Sequence, residues 1–196
     1  IQGLVQEKIS NLLKEKITLL GSGRTDTGVH AIEQSAHFDC KNEIKDFDRF
    51  LKSINHFLNK DRVAILKIRK RSNNFHARFS AKIRVYKYII INRISRPALE
   101  NNRGWHIMKK LDLVAMKKGA KKLVGTKDFS TFRASSCRAK SPIKTMKLVK
   151  IKSFKNKIEI EFRSQSFLQQ QVRSMVGCLK YLGEKKWTLK KFQSVM

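Results

Sequence analysis

The sequence predicts an α+β fold built as two similar halves, and three observations carry that expectation. Strand-like and helix-like periodicities segregate along the chain without the strict alternation that a parallel, doubly wound sheet requires. The early order of helix, strand, loop, strand, helix, strand gives way, after a basic linker, to a second round of strand, helix, strands and helix. A chain of 196 residues with 41% hydrophobic content can fill one substantial core or two small abutting ones. The halves are expected at residues 1–79 and 80–196.

Leu4, Val5, Ile9, Leu12 and Leu13 recur at helical spacing, and Ile17 to Leu20 then reads as a short strand. A loop punctuated by Gly21, Gly23 and Gly28 comes next and holds Asp26. Ile32, Gln34, Ala36 and Phe38 alternate with Glu33, Ser35 and His37 as in a strand. Asp46 is placed to cap a helix whose Phe47, Phe50, Leu51, Ile54, Phe57 and Leu58 share a face, and Val63 to Ile68 reads as a further strand. Beyond the linker at Arg69 to Asn74, a long strand is expected from about Lys82 to Ile91. Asp112 can cap the next helix, with Leu113, Met116, Ala120, Leu123 and Val124 inward and Gly125 just past its end. Strands are then expected at about Met146 to Ser153 and Lys157 to Arg163, and the final helix puts Leu168, Val172, Met175, Val176, Leu179 and Leu182 on one stripe.

Charge narrows the partner. Lys and Arg number 44 against 15 Asp and Glu, a net +29 whose self-repulsion a polyanion would relieve, so nucleic acid is the expected partner. Solvated lysines spread by a generally basic composition would explain much of the same excess. Cys40, Cys137 and Cys178 are far apart and lack the short paired spacing of a redox or zinc site, which points to a reduced cytosol and to no metal. No charged-then-apolar leader and no run of about eighteen apolar residues is present, so neither secretion nor a membrane span is expected. The chain opens at Ile1 inside a helical pattern and stops at Met196 in a basic, partly periodic stretch, the pattern of a fragment.

The segment from Gly21 to Ala31 sets a carboxylate, Asp26, on a Gly-rich turn between two strands, two residues from Arg24. Such a turn can present a side chain into a cleft. It can equally be an Asx-turn in which the carboxylate bonds its own backbone. The glycines also suggest a phosphate cradle, although their spacing fits neither the P-loop nor the dinucleotide fingerprint. These residues alone leave the matter open.

Gly23-Arg24-Thr25-Asp26-Thr27-Gly28-Val29-His30-Ala31 resembles the GRTDxGVHA signature of the bacterial tRNA pseudouridine synthase A family. Three more segments resemble family motifs in the same order: Phe75 to Ala81 with Tyr86-Lys87-Tyr88, Asp128 to Arg133, and Phe167-Leu168 through Val172 to Gly177. The resemblance spans essentially the whole chain and implies two similar α/β halves with mostly antiparallel sheets, helices on one face and a catalytic cleft between them. It also implies that the family's first strand and C-terminal strand region lie outside this chain. Carried over residue by residue, it places the catalytic aspartate on Asp26, a neighbouring arginine on Arg24, the active-site tyrosine on Tyr86 and the aspartate's arginine partner on Arg173. The chain departs from the family in having Gln169, Gln170 and Gln171 where two histidines and a methionine are usual, and Asn59 where Pro is usual.

The implied activity is isomerisation of uridine to pseudouridine in the anticodon arm of tRNA by a cytoplasmic homodimer. The reaction moves the ribose bond from uracil N1 to C5, which requires neither cofactor nor metal. The base must be unstacked, extruded and shielded from water. Asp26 is then expected to act as nucleophile or base, either at uracil C6 or through a glycal. Arg173, one residue beyond core-facing Val172, is expected to hold that carboxylate ionised. Tyr86, on the strand face shared with Arg84 and Tyr88, would stack on the base and move a proton, or else be an ordinary half-buried sheet aromatic. His30, His37, His56, His76 and His106 are scattered, and none is expected to be catalytic. Arg138, Lys140, Lys144, Lys147 and Lys150, with Lys67, Arg69, Lys70 and Arg71, are expected to contact phosphate. A catalytically silent RNA-binding protein would not need Asp26, Tyr86 and Arg173 together, and a metal nuclease would need carboxylates that do not cluster around Asp26.

Overall fold

In the computed structural model, which describes residues 1–196, helix α1 (Gln2–Leu13) forms where the apolar spacing predicts it and buries Val5 and Ile9. Its polar side chains set the course of the segment from Ile17 to Leu19. Gln6 Oε1 accepts the Leu19 N–H at 3.0 Å, Gln2 Nε2 donates to the Leu19 carbonyl at 2.6 Å, and Ser10 Oγ accepts the Ile17 N–H at 3.1 Å. Extended backbone must find partners, and here a helix supplies them. The strand expected at Ile17 to Leu20 is therefore only Leu20–Gly21 (β1), paired antiparallel with Ala36–His37 (β2).

Helix α2 (Phe47–Phe57) is capped by Asp46, whose carboxylate accepts the Arg49 N–H at 2.8 Å. Its buried face holds Ile54, with Leu58 just beyond, whereas Phe57, expected on that face, is exposed. The strand expected at Val63 to Ile68 is an extended segment outside any sheet. Asn55 takes the partner strand's place, donating to the Ile65 carbonyl at 2.8 Å and accepting the Ile65 N–H at 2.7 Å. These elements enclose a core of Val5, Ile9, Ile17, Leu19, Ile54 and Leu58.

This first unit runs Ile1–Ala81, and the second, Lys82–Met196, is built on a five-stranded sheet. Its strands are β3 (Arg84–Asn92), β4 (Trp105–Ile107), β5 (Gly125–Asp128), β6 (Ile143–Phe154) and β7 (Lys157–Ser164), in the order β4-β3-β7-β6-β5. All neighbours are antiparallel except β3 and β4, which run parallel. The likeness expected between the halves thus does not extend to their sheets.

Alternation along the central strands gives the sheet one apolar and one charged face. Tyr86, Tyr88 and Ile90 stand opposite Phe162, Ile160 and Ile158, and β6 adds Val149 and Ile151. Ile90, Ile158, Ile160 and Phe162 are buried, and a fully buried side chain of this kind contributes roughly 1.5–3 kcal/mol. Lys87 on the other face reaches Glu159 at 3.1 Å, and Arg163 reaches Glu161 at 2.5 Å. The apolar stripes of α3 (Leu113–Leu123) and α4 (Gln171–Gly183), with Phe192 of the short α5 (Leu189–Ser194), complete this core. Leu168, expected on the final helix, lies just before α4 and is buried there. Asp112 caps α3 by accepting the Val114 and Ala115 N–H groups at 3.0 Å each.

Candidate active site

The Asp26 loop grows from the β1–β2 ladder. Beyond the Gly21 and Ala36 pair, Ser22 N–H donates to the Ser35 carbonyl at 2.8 Å and Gln34 Nε2 to the Gly23 carbonyl at 2.7 Å. From there the chain opens into an exposed loop that carries Arg24 and Asp26. Asp26 begins a tight turn, its main-chain carbonyl accepting the Val29 N–H at 3.1 Å, and Gly28 takes a φ of +82° at the turn's third position. This is the geometry in which glycine is favoured. The bond that closes the turn uses the Asp26 main chain, not its carboxylate.

A second motif segment docks against the base of this hairpin. The Ala77 N–H donates to His37 Nδ1 at 3.2 Å, and Ala77 is buried. The His37 ring lies 4.6 Å from that of His76 and meets Phe75 edge-on at 6.0 Å. The segment is closed internally by His76 N–H to Ser80 Oγ at 3.1 Å and Ser80 N–H to the His76 carbonyl at 2.8 Å. Two histidines that look scattered in sequence are therefore neighbours. The strand pattern around Phe38 with the Phe75 to Ser80 motif was the available signal, but nothing in either segment announces the pairing.

Tyr86 and Arg173 belong to the second unit. Tyr86 is half-buried on the apolar face of β3, opposite Phe162, with Phe167 edge-on at a ring separation of 5.0 Å. Arg84, on the same face, donates from its guanidinium to the Gln165 carbonyl. Burial holds the Tyr88 phenol above its ordinary range, and the charge of Arg173, on the first turn of α4, offsets only part of that rise. Phe167 and Tyr88 lie in the motifs that carry the resemblance, yet the sequence alone assigned them no role.

The glutamine run has local work in this unit. Gln171 is fully buried and its Oε1 accepts the Leu168 N–H at 2.8 Å. The Gln169 carbonyl accepts the Ala134 N–H at 3.0 Å, tying the turn before α4 to the segment after Phe132. Backbone N–H groups of Ala139 and Gln169 hold the Cys137 thiol below its ordinary range. No group of three or more His, Cys, Asp or Glu is arranged to hold a metal ion, and no helix is long and apolar enough to cross a membrane.

Comparison with known proteins adds to this geometry. Residues 120–196 match the family model described as tRNA pseudouridine synthase. The chain is 70% identical over its full length to the tRNA pseudouridine synthase A of Pelagibacter ubique, covering 80% of that protein. It is 42% identical over 96% of its length to the enzyme of that name from Rhodospirillum centenum, covering 76% of it. The corresponding protein of Parvibaculum lavamentivorans is 38% identical over the full chain, which covers 79% of it.

Proposed function

The chain belongs to the tRNA pseudouridine synthase A family, and we propose that it isomerises uridine to pseudouridine in the anticodon arm of tRNA, with Asp26 as nucleophile. The observation that carries this proposal is 70% identity along the whole chain to a tRNA pseudouridine synthase A. The Asp26 turn supports it as well, because a left-handed glycine and a main-chain bond close it and set Asp26 on an exposed loop. In the reaction the N1–C1′ bond breaks, C1′ bonds to C5, the C5 proton leaves and N1 gains a proton.

Asp26 attacks uracil C6 or assists departure of the base at the ribose. Arg24 supplies positive charge in the same loop, where the RNA backbone would pass. Tyr86 receives the extruded base against its ring and offers its hydroxyl for proton transfer. Arg173 provides a fixed cation that opposes loss of charge from the reacting carboxylate. The chain, whose halves at residues 1–79 and 80–196 carry these groups, is proposed to work as a cytoplasmic homodimer.

Release of tritium from uracil C5 of labelled tRNA tests the proposal. Asp26→Asn should abolish release while tRNA affinity stays within a few fold, because phosphate contacts supply most of the binding. Full turnover by that variant would remove Asp26 as catalyst. Binding without turnover by the unaltered protein would favour a catalytically silent RNA-binding role.

A further inference from the structure

We propose that Gln171 is a positioning residue: it fastens the connection between β7 and α4 so that Phe167 holds the Tyr86 ring at the angle that receives the extruded base. The proposal rests on Tyr86 receiving that base. Residues 165–170 form the connection, and bonds secure it on both sides of Phe167. Before Phe167, the Arg84 guanidinium donates to the Gln165 carbonyl, and the Ser164 hydroxyl donates to the Ser166 carbonyl at 2.8 Å or the Thr145 carbonyl at 2.9 Å. After it, Gln171 and Leu168 bond reciprocally. Gln171 Oε1 accepts the Leu168 N–H at 2.8 Å, and the Gln171 main-chain N–H donates to the Leu168 carbonyl at 3.2 Å.

Only three polar or charged side chains are buried, Ser164, Gln171 and Glu184, and two of them serve this connection. A buried polar group is unfavourable unless it is hydrogen-bonded. Gln171 meets that demand by half: it is 0% exposed, and its Nε2 has no acceptor. A methionine, the residue usual at this position in the family, would remove that orphan donor. It would leave the Leu168 N–H in its place, because a thioether accepts only weakly. One unpartnered donor would thus be exchanged for another, and stability gives little reason for glutamine at 171. What glutamine adds is a directional bond to the residue next to Phe167.

That direction reaches Tyr86 through the two rings. Phe167 meets Tyr86 edge-on, at 86° and a centroid separation of 5.0 Å, and such a pair depends on ring angle as well as distance. Phe162, opposite Tyr86 on β7, is fixed by the sheet itself. Phe167 depends on the connection that carries it, and the Gln171 bond secures that connection one residue away. Loosening Leu168 therefore moves the Phe167 ring, and with it the face that Tyr86 offers the base.

Gln171→Met and Gln171→Glu separate this role from a purely structural one, because stability and turnover should rank them in opposite orders. Gln171→Met should melt near the unaltered protein, yet kcat should fall about tenfold, the cost of a misplacement below about 1 Å near a reacting group. Turnover should not vanish, since methionine is usual there in the family, and tRNA affinity should stay unchanged. Gln171→Glu keeps an acceptor for the Leu168 N–H but buries a charge, so it should melt lower and still turn over faster than the Met variant. Phe167→Leu should itself lower kcat, and adding Gln171→Met to it should cost nothing further, because Gln171 acts through that ring. Turnover that followed melting temperature, or losses that multiplied in the double variant, would overturn the proposal. Nuclear Overhauser effects between the Phe167 and Tyr86 rings, measured without RNA, should weaken in Gln171→Met, and unchanged effects would overturn it too. Absence of turnover in the unaltered protein would count against the proposed activity, while the ring measurement would still decide what Gln171 positions.

Discussion

The Ala77 N–H donates to Nδ1 of His37 at 3.2 Å, joining the strand at the base of the Asp26 loop to the Phe75 to Ser80 segment. His37 faces Leu20 across the ladder, so fixing its ring fixes the pair of strands from which the loop springs. His37→Leu should lower turnover about tenfold to a hundredfold, the cost of small misplacements near a reacting group, with tRNA affinity retained. His37→Asn can offer Oδ1 to the same N–H and should restore much of the loss. Equal turnover of the Leu and Asn variants would show that the hydrogen bond does not position the loop.

Gly28 takes its φ of +82° with no atom within 4 Å of where a Cβ would stand. Gly28→Ala therefore meets no clash, only the backbone penalty of about 1–2 kcal/mol for a left-handed residue. The turn should relax to avoid it, and kcat should fall while KM for tRNA changes little. Unaltered kcat would mean that the turn's shape is irrelevant to catalysis.

Tyr86→Phe keeps the ring that meets Phe167 edge-on and removes only the hydroxyl. Turnover should fall about a hundredfold or more, the range that a positioned proton donor can supply. Wild-type turnover would restrict Tyr86 to a stacking role.

Local rules made the long elements legible. Asp46 and Asp112 announce their helices, and β6 and β7 follow from alternation, because each signal and its outcome lie within a few residues. The extended pieces at Ile17 and Val63 misled because periodicity reports burial and is silent on where main-chain bonds go. Gln2, Gln6, Ser10 and Asn55 supplied them instead of a strand. β4, β5 and α5 escaped notice because three to six residues are too few to show a period. The candidate site was legible only through its motif: physical chemistry alone left Asp26 between an Asx-turn and a catalyst, and His37 with Ala77 required the folded chain.

Glu184 tests how one nearly buried charge contributes. Its hydrogen bond to Lys180 Nζ at 2.8 Å, helped by Lys186 at 3.2 Å, holds its carboxyl below the ordinary range. A lowered carboxyl stabilises the fold at pH above its unfolded value of about 4.3, and that contribution disappears as pH falls through the folded value. Glu184→Gln should lower the melting temperature at neutral pH, and the gap between variant and wild type should close on acidification. A gap that stayed constant to about pH 3 would show that the charge is not what stabilises.

Two glycines should respond to alanine with opposite signs. A Cβ on Gly119 of α3 would stand 2.3 Å from Leu182 Cδ1, 3.2 Å from Leu179 Cδ2 and 3.7 Å from Phe192. A lone methyl can rotate aside, but Leu182, Leu179 and Phe192 are all buried in the same core, so yielding displaces other packed groups. Overpacking of this kind costs about 1–3 kcal/mol and exceeds the helix-propensity gain of at most about 1 kcal/mol for Gly to Ala. Gly119→Ala should therefore lower the melting temperature. Gly177 sits inside α4, and a Cβ there meets nothing within 4 Å. Only the propensity gain applies, so Gly177→Ala should raise the melting temperature. Thermal melts of the two variants beside wild type decide the matter, and stabilisation by Gly119→Ala would show that the core around Leu182, Leu179 and Phe192 has room for the added methyl.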